Sequence, residues 1–400
     1  MKVAIVSWLL PPTPSGQSMM LFRLLKDVPA EDYCLISTAE IVETEPGRFS
    51  HRLNGKYFRI SSSGELTRGY RLGFLIAREL YNVTVGAFLR ARQIARIVNE
   101  ENCQAVMSCS SGNDFLDVPS GFIASRLARV PFYLYLFDTY SQLWTDPRTR
   151  SIGRRVESFV LRRAEGVIVT NETACDLLRE RYGVESIVIH NPCDLATYES
   201  HAEPLVESTN GEIRIVYTGA ISEAHYDAFT NLIEAINILR NPNVKLHIYT
   251  SVSPSKLIAN GISGPVVFHE HQSVYAVSLI QRQADVLFLP LAFTSPFPEL
   301  IKISSPSKVG EFLASHRPVL VHAPRDSFLA SYFREHDCGL VVDEYDSALL
   351  AGALGRLLSD QKLRYRLSSN AWNRAVLDFS LEQAQTTFLK ILDLRLAKTN

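Results

Sequence analysis

Hydrophobic residues recur along the chain in two alternating patterns. Short runs of β-branched and aromatic residues are separated by longer segments, such as 86–98 and 151–163, whose apolar positions are three or four residues apart. The short runs predict strands and the longer segments predict helices. In the first half of the chain the predicted strands are 3–7, 33–37, 56–60, 105–109, 132–137, 167–170 and 187–189.

The pattern restarts after a polar segment, 197–211, which we interpret as a linker between domains. Strands alternating with helices predict parallel sheets joined by right-handed crossovers. The fold prediction is therefore α/β, with two Rossmann-like doubly wound domains, 1–196 and 212–377, facing across a cleft, and a C-terminal helix, 378–400, that packs back on the first domain. The further strands are predicted at 213–217, 244–249, 265–268, 286–289, 319–321 and 340–342.

Composition narrows the possible functions. The chain of 400 residues has 41 Lys and Arg against 42 Asp and Glu, and this balance argues against nucleic-acid binding. Its six cysteines are scattered, so we expect them to be reduced and mostly buried rather than in a zinc site or a disulfide framework. The apolar start of the chain stops at Pro11-Pro12, too early for a membrane span. We expect a cytoplasmic protein, attached at most to the inner face of a membrane.

Two loops after strands of the first half are candidates for chemistry, because ligands of open α/β sheets bind beyond the carboxyl ends of the strands. Gly16 permits close backbone approach to a ligand at the start of a helix, although an ordinary strand-to-helix turn explains it equally well. The pattern is not Gly-x-Gly-x-x-Gly, so NAD binding is not supported. Asp138 follows an apolar strand, and partial desolvation suits it to be a general base; capping of the following turn is the alternative.

The segment 304–318, SSPSKVGEFLASHRP, is the most informative. Ser305 is a good N-cap and Pro306 fits the first helical position, so a helix is predicted to begin there. Its N-terminus and Lys308 could receive phosphate oxygens, and Glu311 could accept hydrogen bonds from two ribose hydroxyls. The alternative is a Lys308–Glu311 ion pair at the surface.

This segment resembles the donor-site helix of family-four-like GT-B glycosyltransferases, in which a Ser-Lys-x-x-Glu-Tyr/Phe-Leu-Ala run precedes a Gly/Arg/Lys-Pro-Val strand. Four further stretches agree in order: AEGVIVTNE from 164, HNPCD from 190, YTGA from 217 and ADVLFLP from 284. The ordered set covers about 160–375 and, more weakly, the first 140 residues. The resemblance implies that 1–196 binds the acceptor and 212–377 the nucleotide-sugar donor.

By this resemblance, Glu311 would hold the ribose, and Lys308 with the helix start at Ser307 would hold the diphosphate. Gly219 would form the phosphate loop of the second domain. The base would lie near Thr250 and the loop that contains His271. The donor would be a nucleotide diphosphate sugar, with a UDP-sugar favoured, and neither a metal nor another cofactor is expected.

Two departures from the family pattern concern the reaction. The family's second acid, eight residues before the ribose-binding one, is Ile303 here, and Glu299 is the candidate to replace it, with Lys302 as the alternative. The family's Arg after the Gly of the phosphate loop is Ala220, and its following Lys falls within 225–227. These departures leave room for an inverting mechanism with Asp138 as base.

The leading hypothesis is a hexosyltransferase that acts on a glycan or lipid-linked acceptor in polysaccharide or glycoconjugate synthesis. Two alternatives remain: a non-catalytic protein that binds sugar nucleotides, and a sugar-nucleotide epimerase. Arginines interleaved with aromatic and aliphatic residues also suggest a peripheral membrane contact. An amphipathic helix packed on the sheet with its arginines outward is the alternative interpretation. The arginines are Arg68, Arg71, Arg78, Arg90, Arg92 and Arg96.

Overall fold

The computed structural model describes residues 1–13, 15–40, 51–62, 64–66, 72–110, 114–144, 146–199 and 211–394. The chain divides into two compact units. The N-terminal domain comprises Met1–His190 with Glu382–Asn400, and the C-terminal domain comprises Asn191–Leu381. Most of the predicted linker, residues 200–210, lies outside the described residues, as does the end of the predicted C-terminal helix, 395–400.

The N-terminal domain contains a seven-stranded sheet whose described pairings are all parallel, in the order β3-β2-β1-β4-β5-β6-β7. The inner strands are buried on both faces, which explains why they read as continuous apolar runs. The strands are β1 (Val3–Val6), β2 (Tyr33–Ser37), β3 (Lys56–Arg59), β4 (Ala105–Ser110), β5 (Phe132–Leu136), β6 (Gly166–Val169) and β7 (Ile187–Val188). The helices are α1 (Gly16–Leu25), α2 (Leu72–Tyr81), α3 (Ala87–Glu100), α4 (Asp117–Ala128), α5 (Pro147–Leu161) and α6 (Glu172–Tyr182).

The shorter helical segments of this domain are of two kinds. Ala30–Asp32 and Tyr140–Leu143 are 3-10 turns, and Asn82–Gly86 is a π-helical turn that joins α2 to α3. The helix predicted at 151–163 begins earlier, at Pro147, because the side chain of Asp146 accepts a hydrogen bond from the backbone nitrogen of Arg148 and caps the helix.

The C-terminal domain contains a six-stranded parallel sheet in the order β10-β9-β8-β11-β12-β13. Its strands are β8 (Ile213–Thr218), β9 (Val244–Tyr249), β10 (Val266–His269), β11 (Val286–Pro290), β12 (Val319–His322) and β13 (Leu340–Val342). The helices up to β12 are α7 (Ala196–Glu199), α8 (Tyr226–Leu239), α9 (Pro254–Ala259), α10 (Val274–Arg282), α11 (Pro298–Ile303) and α12 (Val309–Ala314). After β12 follow α13 (Phe328–Glu335), α14 (Ser347–Ser359), α15 (Gln361–Asp378) and α16 (Leu381–Ile391).

The chain passes between the domains twice, near residues 191 and 381. At these points the backbone nitrogen of Cys193 donates to the carbonyl oxygen of Phe379 (2.7 Å), and the nitrogen of Leu381 donates to the oxygen of Cys193 (3.2 Å). Helix α16 then packs in the core of the N-terminal domain, where Phe388 is fully buried in the cluster that contains Val3 and Ile5. No helix in the described residues is both long and apolar enough to cross a membrane.

Arg90 occupies a different environment from the outward one that the sequence suggested. Its side chain is only 2% exposed, and Nη1 lies 2.7 Å from both carboxylate oxygens of Asp114 and 3.0 Å from Oδ1 of Asp117. Its Nε donates to Glu65 (3.0 Å). Burial raises the pKa of Asp117 well above its ordinary value, with Arg90 opposing the shift. The interpretation of Arg90 as a surface residue is therefore wrong, because three carboxylates draw its guanidinium inward.

We expect Arg90→Met to destabilise the protein by about 3–5 kcal/mol, because the buried carboxylates lose their cation. Arg92→Met, a matched change at an exposed position of the same helix, should alter the free energy of unfolding by less than about 0.5 kcal/mol. Urea unfolding followed by tryptophan fluorescence measures both. Equal effects of the two substitutions would show that the Arg90 cluster has no special role in stability.

Candidate functional site

The ammonium group of Lys308 is held at the carboxyl end of β8. It donates a hydrogen bond to the hydroxyl of Tyr217 and lies 3.9 Å from the centroid of the Tyr217 ring. The Tyr217 hydroxyl in turn donates to the carbonyl oxygen of Ala220 (2.6 Å). Lys308 thus contacts Tyr217 at a partly buried position, whereas the alternative interpretation placed it at the surface in an ion pair with Glu311.

Gly219 makes this position of Lys308 possible. Its φ of +128° is one that other residues rarely adopt, and a Cβ at this position would lie 2.8 Å from the Nζ of Lys308 and 3.1 Å from its Cε. The backbone nitrogen of Gly219 donates to the carbonyl oxygen of Tyr249 (2.9 Å). The loop after β8 is thus fixed close to the lysine.

Burial lowers the pKa of Lys308 to about 7, although the negative charge of Glu311 opposes this shift. The imidazole of His225 lies in the same region. Burial, together with the charge of Lys308, lowers its pKa to about 3. Because the ammonium is poorly solvated, an anion that reaches it would gain more interaction energy than at an exposed lysine.

Helix α12 begins later than the sequence predicted. It starts at Val309 with Lys308 as its N-cap, and neither Ser305 nor Pro306 is part of the helix. The amide Nδ2 of Asn191 donates to the carbonyl oxygen of Ser305 (2.6 Å), which holds the preceding segment outside the helix. The prediction of Ser305 as N-cap is therefore wrong. Lys308 lies at the helix start rather than one turn inside, next to Ser307, and Glu311 lies half-buried in the first turn.

The start of α12 is packed tightly against the chain after β7. A Cβ at Gly310 would lie 3.1 Å from the Cβ of Cys193, 3.1 Å from that of Phe379 and 3.2 Å from the carbonyl oxygen of Asn191. A larger residue at position 310 would push the helix away from this segment. The close packing fixes where Lys308 and Glu311 enter the site.

Thr250 and His271 lie on the neighbouring part of the same sheet edge. Thr250 directly follows β9 and is buried, and its backbone nitrogen donates to the carbonyl oxygen of His269 (3.4 Å). The ring of His269 stacks on that of Tyr249 at 4.1 Å between centroids. His271, just after β10, is exposed. Because β8, β9 and β10 are neighbours and parallel, Gly219, Thr250 and His271 line one edge of the sheet.

A cavity of about 510 Å³ opens between the loop after β8, α9 and the start of α11. Its volume is in the range of small-molecule sites. Glu299, in the first turn of α11, is half-buried, and Ile303 at the end of that helix is buried at 5% exposure. Both residues belong to the short helix α11. The cavity is lined in part by Ile221, Ser222, Ala224, Lys256, Phe297 and Leu300.

In the N-terminal domain, Gly16 and Asp138 lie at the carboxyl edge of the first sheet, after β1 and β5. Gly16 is exposed at the start of α1, which is capped by the side chain of Ser15. Burial raises the pKa of Asp138, and no described residue donates a hydrogen bond to its carboxylate. Its carbonyl oxygen accepts a hydrogen bond from the Ser110 hydroxyl (2.8 Å). In the sheet, β4 lies between β1 and β5, which are the strands that Gly16 and Asp138 follow.

Two features of the site were not predicted from the sequence: the role of Tyr217 and the separate roles of the residues at 225–227. Tyr217 was placed in a strand and in the YTGA stretch, but nothing in the pattern showed that its hydroxyl would contact Lys308. His225 faces the lysine, whereas Asp227 accepts hydrogen bonds from the backbone nitrogens of Phe293 (2.9 Å) and Thr294 (2.8 Å) and anchors the loop after β11. The spacing alone could not separate these two roles.

The two doubly wound parallel sheets define a protein of the GT-B architecture. In the C-terminal domain, residues 212–360 match the family described as Glycosyl transferases group 1. This confirms the family resemblance seen in the sequence. A search of curated proteins finds no significant match.

Solved structures support the fold over the whole chain. HepE from Anabaena in complex with UDP is 14% identical, with a TM-score of 0.68, and the match covers 98% of this chain and 100% of HepE. HepE in complex with UDP-glucose is 15% identical, with a TM-score of 0.67, and the match covers 98% of this chain and 99% of HepE. Sucrose-phosphate synthase from Thermosynechococcus elongatus is 16% identical, with a TM-score of 0.67 and 98% of both chains covered. The predicted GT-B fold is confirmed.

We expect the Lys308 side chain to change charge near pH 7, ammonium below that pH and neutral amine above it, because burial disfavours the charged form. NMR of protein with isotope-labelled lysines should show one signal with a titration midpoint near 7. That signal should disappear in Lys308→Arg and remain in Lys362→Arg, a control at an exposed position of α15. Its persistence in Lys308→Arg would contradict the assignment.

Proposed function

We propose that this protein is a metal-independent hexosyltransferase that transfers a sugar from a UDP-sugar to a glycan or lipid-linked acceptor. The observation that carries the proposal is the partly buried ammonium of Lys308, held on Tyr217 beside Gly219 and near Glu311. These groups lie in the domain that matches the glycosyltransferase family. Cytoplasmic polysaccharide or glycoconjugate synthesis is the setting that we propose for it.

The departing nucleoside diphosphate needs positive charge near it as the bond to the sugar breaks. Lys308 can supply that charge, because a bound diphosphate favours the ammonium form and raises the pKa from about 7. His225, whose pKa burial and Lys308 lower to about 3, can donate from neutral imidazole without adding charge. We propose that these two groups replace the Arg and Lys that the family carries after its phosphate loop.

The nucleoside part of the donor would lie along the same sheet edge. Glu311 would accept hydrogen bonds from the ribose hydroxyls, Ser307 would lie near the diphosphate, and Thr250 and His271 would lie near the base. The structures of HepE with UDP and with UDP-glucose support the choice of uridine. Glu299, near the 510 Å³ cavity, is proposed to orient the transferred sugar in place of the acid that Ile303 replaces.

Asp138 is proposed as the base that removes the proton from the acceptor hydroxyl, and Gly16 as a residue whose backbone a ligand can approach closely. Burial raises the pKa of Asp138 and so makes it a stronger proton acceptor. In this inverting scheme the acceptor oxygen attacks the anomeric carbon, the proton passes to Asp138, and the UDP leaves with the bonding electron pair.

A second candidate function is that of a non-catalytic protein that binds sugar nucleotides. It is favoured by Ile303, which is buried at the position of the family's second acid, and by Ala220 in place of an arginine. Such a protein would bind UDP-sugars without converting them. Release of UDP from the donor in the presence of candidate acceptors separates the two functions.

Glu311→Ala should weaken UDP binding at least about tenfold, since a carboxylate that binds two hydroxyls contributes more than about 1.4 kcal/mol. Calorimetric titration with UDP, GDP and ADP, each with and without Mg²⁺, should show that UDP binds most tightly and that Mg²⁺ has no effect. Glu234→Ala, at an exposed position of α8, is the control. Unchanged affinity in Glu311→Ala would remove Glu311 from the site, and no nucleotide binding at all would contradict the proposed function.

Asp138→Asn should reduce the rate of transfer by about 10²–10⁴-fold and leave UDP binding unchanged, because a general base acts on the acceptor and not on the donor. The measurement is UDP release together with the calorimetric affinity. Asp176→Asn on the exposed face of α6 should leave both unchanged. Full activity of Asp138→Asn would instead indicate a retaining mechanism without a base.

A further inference from the structure

Exposed apolar side chains are concentrated on one helical segment of the N-terminal domain. Helix α2, the π-helical turn and α3 form a continuous run from Leu72 to Glu100. Phe74 on this run is 70% exposed. A folded surface rarely leaves so many large apolar groups in water within one short segment unless they contact something. The exposed residues are Phe74, Ile76, Leu80, Val85, Phe88 and Leu89.

Helix α5, which packs against α2, presents a basic face. Arg148, Arg155 and Arg162 recur at helical spacing and are all exposed. Phe159 on the same face is 50% exposed, and the guanidinium of Arg163 lies 4.0 Å from its ring centroid.

Little negative charge on α5 offsets these arginines. Glu157, the acid within the helix, is fully buried, where it accepts hydrogen bonds from the Tyr182 hydroxyl (2.5 Å) and from the backbone nitrogen of Ser141 (3.2 Å). At the N-cap, Asp146 lies 4.0 Å from the Nε of Arg148. The face of α5 is therefore strongly positive.

The positive charge beside the apolar segment does not come mainly from the arginines that the sequence suggested. Arg90 is buried, Arg78 pairs with Glu79 and has only 14% of its side chain exposed, and Arg96 pairs with Glu100 (2.7 Å). Arg92 is exposed, whereas Arg68 and Arg71 lie outside the described residues. The cations next to the apolar segment therefore belong largely to α5. The arginines from which a membrane contact was predicted did not include those of α5.

We propose that the surface formed by α2, the π-helical turn, the first turn of α3 and α5 docks on an anionic lipid bilayer. Its aromatic and aliphatic side chains would enter the boundary between headgroups and acyl chains, while the arginines contact the anionic headgroups. The charge of the surface argues for this occupant. A symmetric contact with a second copy of the chain would place one arginine face against another.

This inference stands apart from the proposed sugar transfer, because it rests on the surface of the N-terminal domain alone. It also gives a physical reason for a lipid-linked acceptor. An enzyme held at the bilayer meets such acceptors in two dimensions, without extracting their acyl chains into water.

The test is co-sedimentation of the purified full chain with vesicles of phosphatidylcholine and phosphatidylglycerol, and with vesicles of phosphatidylcholine alone. We expect binding to the anionic vesicles that weakens at high salt. Arg155→Glu with Arg162→Glu should weaken it by about tenfold or more. Phe74→Ser with Phe88→Ser should also weaken it, and the binding that remains should be more sensitive to salt.

Matched controls come from α15 of the C-terminal domain. Tyr365, like Phe74, is 70% exposed, and Lys362 and Arg366 are exposed cations. Tyr365→Ser, and Lys362→Glu with Arg366→Glu, should leave vesicle binding unchanged. Circular dichroism verifies folding, and calorimetric UDP affinity tests the proposed function separately.

Absence of binding to anionic vesicles, or equal losses in the control variants, would overturn the proposal. So would a concentration-dependent dimer that Phe74→Ser with Phe88→Ser dissociates, since the surface would then be an interface between two copies. Vesicle binding without UDP binding would leave the docking surface established and contradict the proposed transferase.

Discussion

The candidate site depends on one lysine that is kept away from water. Lys308 enters from the start of α12, and Tyr217 at the end of β8 receives its ammonium on both the ring and the hydroxyl. The absence of a side chain at Gly219 leaves room for this contact. Removing water from a cation lowers its pKa and strengthens its attraction for an anion that can replace the lost solvation. The geometry therefore favours an anionic ligand over a neutral one.

The chain segments near residues 191 and 381, where the chain crosses between the domains, pack against the start of α12. This packing fixes the position of Lys308. Asn191 binds the carbonyl oxygen of Ser305, and Gly310 allows α12 to lie against Cys193 and Phe379. A change at Gly310 would move both the helix and the lysine. A substitution at Gly310 would therefore affect both the stability of the domain and the position of the Lys308 charge, although Gly310 has no side chain that could contact a ligand.

Arginines of the N-terminal domain occupy two different environments. Arg90 is neutralised inside the protein by Glu65, Asp114 and Asp117. Arg155 and Arg162, in contrast, remain exposed to solvent. Arginine content along the sequence was therefore a poor guide to the basic surface. The deciding factor is whether a carboxylate from another element reaches the guanidinium, and spacing along one helix does not reveal this.

The two doubly wound sheets could be predicted from the order of residues alone, because strands buried on both faces need uninterrupted apolar runs and helices packed on one side need apolar positions three or four residues apart. The order of residues also determined which loops follow the strands, and so placed Gly219, Lys308 and Glu311 among the candidates. Only the tertiary structure decided that α12 starts at Val309, that Tyr217 receives Lys308, and that Arg90 turns inward. Each of these depends on a partner that is distant along the chain, and local periodicity contains no information about such partners.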